Sequence, residues 1–286
     1  MKRFSVLAAT AAAFVMAGGT AALTPAAAQQ TQQPAQIGGK PNLNGIWQVL
    51  NNANDDLEPH SAKPNPLPEA GRALGALSAI QPGLGVVEGG KIPYKPEALE
   101  RLNHNRANLV KHDPEAACYL PGIPRATYMP YPFQIVQGEN DDILMVYEYA
   151  TANRVVEMRD VEVPPIDTWM GTSYGKWEGD TLVVTTLALG PGDVKLPGGE
   201  MEAGVTWLDR AGNYLSNTST VTERFTKVND NLIQYSATIE DPELYTKPWT
   251  ISMPLYRRME PNAQLLEFRC VPFSEPMLYG DLLEGQ

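Results

Sequence analysis

The half of the chain that follows Pro132 repeats one pattern, in which short runs of β-branched and aromatic residues alternate with turn-forming residues. About ten such runs occur at the spacing of hairpins, and several alternate apolar and polar residues with period two. Closing such a sheet on itself removes the exposed edges that promote aggregation. The pattern therefore predicts an all-β fold, a single antiparallel β-barrel of about ten strands, with a β-sandwich as the alternative. The predicted strands are 133–137, 142–149, 153–159, 173–178, 181–188, 203–208, 218–227, 231–239, 248–257 and 264–271.

The best-defined hairpin lies within Thr168–Thr186, TWMGTSYGKWEGDTLVVTT. Its turn is the Glu-Gly-Asp at 178–180, because Gly-Asp favours tight turns and the residues on either side favour strands. Trp169 and Trp177 are its largest apolar groups. They are predicted either to anchor the core or to line a cavity.

Residues 1–28 have the features of a secretory signal, with a basic start, an apolar stretch and a small-residue cleavage site at Ala26-Ala27-Ala28. Residues 29–41 are rich in Gln, Pro and Gly and are predicted to be a flexible leader. Residues 42–286 are predicted to form one barrel domain. The expected location is the periplasm.

The barrel domain is expected to begin with a short strand at 42–50, NLNGIWQVL. Its Gly-Ile-Trp is similar to the Gly-x-Trp with which lipocalin-like barrels close one end, so the predicted barrel is lipocalin-like. A Pro/Gly-rich arm and one helix then occupy about 51–131, before the main run of strands. The helix is predicted from Pro96 to about Lys111 by its apolar stripe.

The charge of the chain excludes some partners. The net charge is −11, and it becomes −13 when Lys2 and Arg3 leave with the signal. Proteins that bind nucleic acid need basic patches to neutralise phosphates, so no nucleic-acid partner is predicted. No long apolar run follows the signal, so no membrane insertion is predicted.

Cys118 and Cys270 are the two cysteines of the chain. In an oxidising compartment an even pair is more often a disulfide than a reactive thiol. A Cys118–Cys270 disulfide is therefore predicted, which would tie the segment after the helix to the last predicted strand.

Five segments together resemble a family of exported bacterial proteins whose members have no general assigned activity. The resemblance implies an exported single unit from about Pro41 onward, and it implies no particular chemistry. Relatives commonly carry a His-x-x-His-like stretch after the Trp-x-Asp segment, whereas this chain has Asn-Tyr-Leu at 213–215, so no metal role carries over. The segments are DPEAACYLPGIPR (113–125), TWMGTSYGKWEGDTLVVTT (168–186), TWLDRAG (206–212), VTERF (221–225) and DPELYTKPWT (241–250).

Several common chemistries lack their sequence features. The chain has three histidines, His60, His104 and His112. The last two are eight residues apart on the predicted helix, which is more than two turns and too far for them to share one ion, so no metal site is predicted. The Gly-x-Ser-x-Gly of hydrolases and the glycine-rich loops of nucleotide-binding proteins are absent, and no cofactor is predicted.

Charged and phenolic side chains in or beside apolar strands form the predicted site. A charge that faces a barrel interior must be paired or shift its pKa, and such a group can act as an acid or base; outward orientation or a purely structural ion pair is the alternative. Asp209 ranks first, with side-chain capping of its own turn as the competing interpretation. The predicted catalytic residues are Asp209, Arg154, Glu148 and Tyr128. The predicted ligand-binding residues are Arg125, Tyr147, Trp169, Trp177, Trp207, Glu223, Arg224 and Tyr235.

The leading functional hypothesis is a periplasmic barrel that binds a small, largely apolar or aromatic molecule in its interior. The surplus of charged and phenolic groups slightly favours an enzyme, a cofactor-independent lyase or isomerase. The alternative is a non-catalytic cell-envelope accessory that binds a glycan or a protein through the arm and exposed tyrosines. Convergence of Arg154, Asp209 and Glu223 in one cavity would favour the first class, and their scatter over the surface would favour the second. The sequence does not indicate an oligomeric state.

Overall fold

The computed structural model describes residues 35–64, 79–116, 118–139, 142–162, 165–190, 194–195, 201–202 and 205–268. In chain order the described elements are β1 (Gln36–Ile37), β2 (Lys40–Pro41), β3 (Gly45–Gln48), α1 (Ala98–Ala107), α2 (Leu109–His112), α3 (Arg125–Tyr128), β4 (Phe133–Val136), β5 (Ile143–Tyr147), a 3₁₀ turn (Tyr149–Thr151), β6 (Asn153–Glu157), β7 (Thr172–Glu178), β8 (Thr181–Leu187), β9 (Val194–Lys195), β10 (Met201–Glu202), β11 (Thr206–Trp207), β12 (Tyr214–Leu215), β13 (Thr220–Asn229), β14 (Leu232–Glu240) and β15 (Trp249–Arg257).

Nine of these described strands close into a barrel, in the order β13-β14-β15-β3-β4-β5-β6-β7-β8. The prediction of an all-β barrel is confirmed, and closure removes the sandwich alternative. The barrel is mixed, because β6 and β7 run parallel while the other neighbouring pairs are antiparallel. A parallel pair cannot be joined by a tight hairpin turn, so β6 and β7 are not a hairpin although they follow each other in the chain.

The period-two pattern places the core inside the barrel. On β13 the inward positions are Val221, Glu223 and Phe225, all buried. Phe225 packs on Tyr235 with ring centroids 5.0 Å apart, and similar contacts repeat around the wall. Side chains therefore fill the interior, which differs from the expectation of a ligand held inside the barrel.

The Gly-Ile-Trp of β3 contributes Trp47 to the barrel core. Trp47 is fully buried, its indole N–H donates to the carbonyl of Leu43 (2.9 Å), and the guanidinium of Arg257 lies 4.4 Å from its ring centre. Gly45 has a φ of +151°, a backbone conformation that residues with a side chain rarely adopt, so glycine is favoured at this position. The strand thus has a packing role, because Trp47 lies in the core and stacks on Arg257.

The predicted helix is interrupted. α1 ends at Ala107, and Asn108 (φ −127°, ψ 28°) separates it from α2. The break brings the rings of His104 and His112 to 5.1 Å between centroids, so the expectation that they lie too far apart is wrong. No helix in the described part of the chain is long and apolar enough to cross a bilayer.

The segments outside the barrel pack against it. The arm runs back on itself through bridges between His60 and Gly83 and between Lys63 and Ile80, and its Leu57 is fully buried. Residues 36–41, expected in a flexible leader, form the β1–β2 hairpin. Within the predicted strand 264–271, residues 264–268 are not in a strand, and the rest lies outside the described residues.

Candidate functional site

A cleft opens in the barrel wall where β6 and β7 meet. In the described part of the chain these two strands pair only at Val156–Ser173 and Glu157–Tyr174, while the N-terminal half of β6 pairs with β5 alone. The resulting gap has a volume of about 410 Å³, which is within the range of small-molecule pockets. The parallel seam is therefore the candidate site in the described part of the chain.

Aromatic and apolar side chains form one wall of this cleft. Trp169 and Met170 line it together with Leu120, and the ring of Tyr119 stacks on Trp169 at 5.0 Å. Trp169 is half-buried, so part of its ring faces the opening. Such a surface suits a planar apolar molecule, because ring faces pack with large contact and little loss of side-chain freedom.

The backbone holds Trp169 at this position. The N–H of Thr168 donates to the carbonyl of Ala188, and the carbonyl of Thr168 accepts from Gly190, both at 3.0 Å. Gly171 has a φ of +65°, and a Cβ there would lie 2.6 Å from the carbonyl oxygen of Leu187. The turn into β7 therefore requires glycine at this position.

Arg154 forms the polar floor. Its side chain reaches inward from β6 and makes a bidentate ion pair with Glu223, with Nη1–Oε2 at 2.6 Å and Nη2–Oε1 at 3.1 Å. Nη1 is also within 3.5 Å of Ser173 Oγ and 3.4 Å of Thr186 Oγ1, and Nη2 donates to the sulfur of Met145. Both terminal nitrogens are thus engaged inside the barrel.

The third nitrogen of Arg154 is different. Its Nε is buried and has no hydrogen-bond partner among the described residues, although the residue lines the cleft. A buried N–H without a partner costs free energy, on the order of 1–3 kcal/mol. This unpaired N–H distinguishes Nε from the two terminal nitrogens of the same guanidinium.

The charges of this cluster are fixed. Burial acts to lower the pKa of Arg154, but the Glu223 carboxylate more than offsets burial, so the pKa is raised and the guanidinium stays charged. Burial and the same carboxylate raise the pKa of Tyr235, whose hydroxyl donates to Glu223 Oε1 at 2.8 Å. Glu223 is fully buried and accepts from Arg154 and Tyr235 together.

Arg125 occupies a separate network with no unused nitrogen. Nε donates to Asn54 (2.8 Å), Nη1 and Nη2 donate to the two oxygens of Asp113, and Nη2 also donates to Glu115 (2.6 Å). Arg210 binds the same Glu115 from the solvent side. This network ties the arm to the segment before α3 and leaves no donor for a ligand.

Asp209 is likewise occupied by the chain. Its carboxylate accepts from the backbone N–H groups of Leu57, Ala211 and Asn213 and from the Asn213 side chain. Burial raises its pKa to about 6, with a smaller contribution from Asp56, although these hydrogen bonds oppose the shift. These contacts correspond to the interpretation that Asp209 caps its own turn. The bond from Leu57 also ties the arm to this turn.

The other predicted residues fall into three groups. Tyr128, Tyr147, Trp207 and Tyr235 are buried in the core, and the Tyr128 hydroxyl donates to the Leu208 carbonyl at 2.7 Å. Trp177 packs half-buried against the core, away from the cleft lining. Arg224 points outward to Glu178, and Glu148 accepts from the backbone of Leu266.

Of the predicted site, the structure brings together Arg154, Glu223 and Tyr235, with Trp169 on the adjoining wall. Asp209 is buried in a different cluster, so the three diagnostic charges neither share one cavity nor scatter over the surface. Sequence reasoning missed Ser173. The sequence feature that could have identified it is a polar residue on the buried face of β7, two positions before Gly175 on the same face.

The predicted disulfide falls partly outside the described residues, because Cys270 is among those not described. No described cysteine is a free thiol. Phe268 packs on Tyr149 with ring centroids 4.8 Å apart, and the Tyr149 hydroxyl donates to the carbonyl of Glu115. The chain near each cysteine is therefore close in space, and the pairing stays a prediction.

Among the described residues, no group of three or more His, Cys, Asp or Glu side chains is arranged to hold a metal ion. Comparisons with protein-family models, with curated proteins and with solved structures find no match for this chain. The resemblance to exported bacterial proteins stays a prediction. The functional argument therefore depends on the geometry of the cleft.

Proposed function

We propose that this protein is an exported, periplasmic barrel that binds a small, planar, largely apolar or aromatic molecule in the β6–β7 cleft. The carrying observation is the pairing of an aromatic wall, Trp169 on Tyr119, with the charged residue Arg154 in the lining of the same cleft. A mostly apolar pocket with one directed polar group is the usual composition of a small-molecule site. The signal-like N-terminus supports export.

The proposal is limited to binding. The two carboxylates suggested for acid–base catalysis, Asp209 and Glu148, accept hydrogen bonds from the chain itself, and neither is among the described residues that line the cleft. No specific contact in the described part of the chain favours the lyase or isomerase hypothesis over binding. The same holds for the accessory hypothesis, since the described arm packs on the barrel.

The test is retention of a small molecule by the native protein. Protein purified from its own periplasm would be analysed by native mass spectrometry, alongside Trp169→Ala and the control Trp177→Ala. Trp169→Ala should lose the retained mass, because it removes the wall of the cleft, and Trp177→Ala should keep it, because Trp177 does not line the cleft. Equal retention by both variants would contradict the proposed site.

A second readout uses the indole N–H signals of the five tryptophans in a two-dimensional NMR spectrum. Titration with small aromatic probes should move the Trp169 signal, identified as the one missing in Trp169→Phe. The Trp47 signal should stay in place, because that indole N–H is bonded to Leu43 inside the barrel end. A titration that leaves Trp169 unmoved would count against the proposal even if no native ligand is retained.

A further inference from the structure

One edge of β6 faces the cleft with its backbone. Successive residues of a strand direct their N–H and C=O groups to opposite sides in turn. The N–H of Tyr147 donates to the carbonyl of Ala152 (2.8 Å), and the β5–β6 register then places Arg154 in a pair that bonds to β5. The backbone groups of Asn153 and Val155 therefore point the other way, toward the cleft that both residues line.

The parallel ladder between β6 and β7 ends before it reaches this edge. Its register pairs Val156 with Ser173, so a continuation of the ladder would set residue 171 opposite Arg154. Gly171 instead has a φ of +65° and donates its N–H to the carbonyl of Thr168 (3.1 Å). That N–H is therefore used in the turn before β7 and does not bond to β6.

Two backbone groups of β6 remain for a ligand. In a parallel ladder, the residue opposite Arg154 would donate its N–H to the carbonyl of Asn153 and accept from the N–H of Val155. Neither of these two groups has a hydrogen-bond partner among the described residues. Asn153 and Val155 are exposed and line the cleft together with Trp169, so a ligand in the cleft can reach the strand edge and the aromatic wall at once.

We infer that the β6–β7 cleft binds a peptide-like ligand, an aromatic residue with an amide bond on each side, which continues the parallel ladder along the free edge of β6. This inference rests on the proposed function and names its ligand class. The ligand residue would donate its N–H to the Asn153 carbonyl and accept from the Val155 N–H, while its ring packs on Trp169. Strand addition of this kind gains affinity from backbone hydrogen bonds and specificity from a side-chain pocket.

The experiment compares N-acetyl-phenylalaninamide with the ester analogue in which oxygen replaces its inner N–H, with N-acetyl-alaninamide and with ethylbenzene. Binding is read by NMR from the Trp169 indole signal and from the backbone amide signals of Val155 and Leu144. The phenylalanine amide should bind roughly tenfold more tightly than its ester analogue, the factor that corresponds to one modest hydrogen bond, and more tightly than the alanine amide, which has no ring. It should shift the Val155 signal and leave the Leu144 signal in place, because the register turns the N–H of Leu144 toward β4.

The matched variants are Val155→Pro and Val155→Ala. Proline removes the N–H that would donate to the ligand, and that N–H faces the cleft and not β5. Val155→Pro should bind the phenylalanine amide about tenfold more weakly than Val155→Ala, which keeps the donor, and both variants should bind ethylbenzene equally. If Val155→Pro does not fold, the ranking of the amide over its ester in the wild type decides.

The outcomes separate the two proposals. If the phenylalanine amide and its ester bind equally and both move the Trp169 signal, peptide recognition is overturned and the cleft remains a binding site. If the amide moves the Trp169 signal but not the Val155 N–H signal, the contact with the β6 edge is wrong. If ethylbenzene moves the Trp169 signal and the amide does not, the inference alone fails. If no probe moves the Trp169 signal, the proposed function fails and the inference fails with it.

Discussion

Arg125 and Arg154 are both buried beside carboxylates, and they differ in how many of their nitrogens the chain uses. All three nitrogens of Arg125 donate to described residues, which are Asn54, Asp113 and Glu115. Two of the three nitrogens of Arg154 do so, and the third, Nε, is buried without a described partner, in a residue that lines a cleft. Burial and ion pairing are common to both, so neither property marks a binding site. The unused donor next to a cavity is the feature that distinguishes them.

The largest effect is expected from Arg125→Met. The change leaves the carboxylates of Asp113 and Glu115 buried without their main partner, so the free energy of unfolding should fall by about 5 kcal/mol. Urea denaturation followed by circular dichroism measures this loss. Arg125→Lys should recover only part of this loss, because an ammonium cannot donate to Asn54, Asp113 and Glu115 with the geometry of a guanidinium. A loss below about 1 kcal/mol would mean that the network is not structural.

The second prediction tests whether the Arg154 pair can be removed as a unit. Arg154→Leu alone should cost about 4 kcal/mol, because it strands the buried Glu223 carboxylate. Arg154→Leu with Glu223→Gln should recover most of the loss, because Gln is neutral and still accepts from Tyr235. The corresponding pair, Arg125→Leu with Asp113→Asn, should stay costly because Glu115 remains charged. Equal recovery at both sites would erase the contrast between them.

Asp209 is expected to make the stability of the protein depend on pH, unlike the two arginines. Its pKa is about 6 in the folded protein against an ordinary value of 3.8, so the folded chain holds its proton to higher pH than the unfolded chain. The contribution of this carboxyl to stability is therefore full below about pH 4 and is lost as the pH rises through 6, by about 3 kcal/mol in total. Burial is the cause of the shift, and the hydrogen bonds to the carboxylate limit it.

Urea denaturation between pH 4 and pH 7 tests this contribution, the window in which Asp209 changes charge. The wild type should lose more stability across the window than Asp209→Asn, which cannot titrate. Asp180→Asn, in the exposed β7–β8 turn, serves as the control and should keep the wild-type slope. Identical slopes for the wild type and Asp209→Asn would show that the carboxyl does not carry the pH dependence.

The parts of this fold that depend on local pattern were predictable from the sequence. Along β13 the period-two pattern puts Val221, Glu223 and Phe225 on one face, which is buried in the structure, and the tight turn at 178–180 joins β7 to β8 as expected. The parallel pairing of β6 with β7 was not predicted, because all neighbouring strands were expected to be joined as antiparallel hairpins. The helix break at Asn108 was also missed, since the apolar spacing continues across it.

The site was less predictable because its contacts join residues far apart in sequence. Glu223 lies 69 residues from Arg154, and the donor from Leu57 reaches Asp209 across 152 residues. Strand alternation can say that two charges face inward, but the register of several strands decides whether they meet. The unused Nε of Arg154 depends on that register too, so no sequence pattern could have distinguished it from the saturated Arg125.

The smallest effect is expected from Arg224→Met, one residue from Glu223 on the same strand. Alternation turns Arg224 outward, where it pairs with Glu178 at 2.9 Å with both side chains more than 40% exposed. Water and salt screen such a pair, so the loss of stability should stay below about 1 kcal/mol and shrink further at high ionic strength. Urea denaturation at low and high salt measures both. A loss comparable to that of Arg154→Leu would mean that burial does not explain the different stability contributions of these two arginines. The buried charge at the cleft would then not differ from a surface charge.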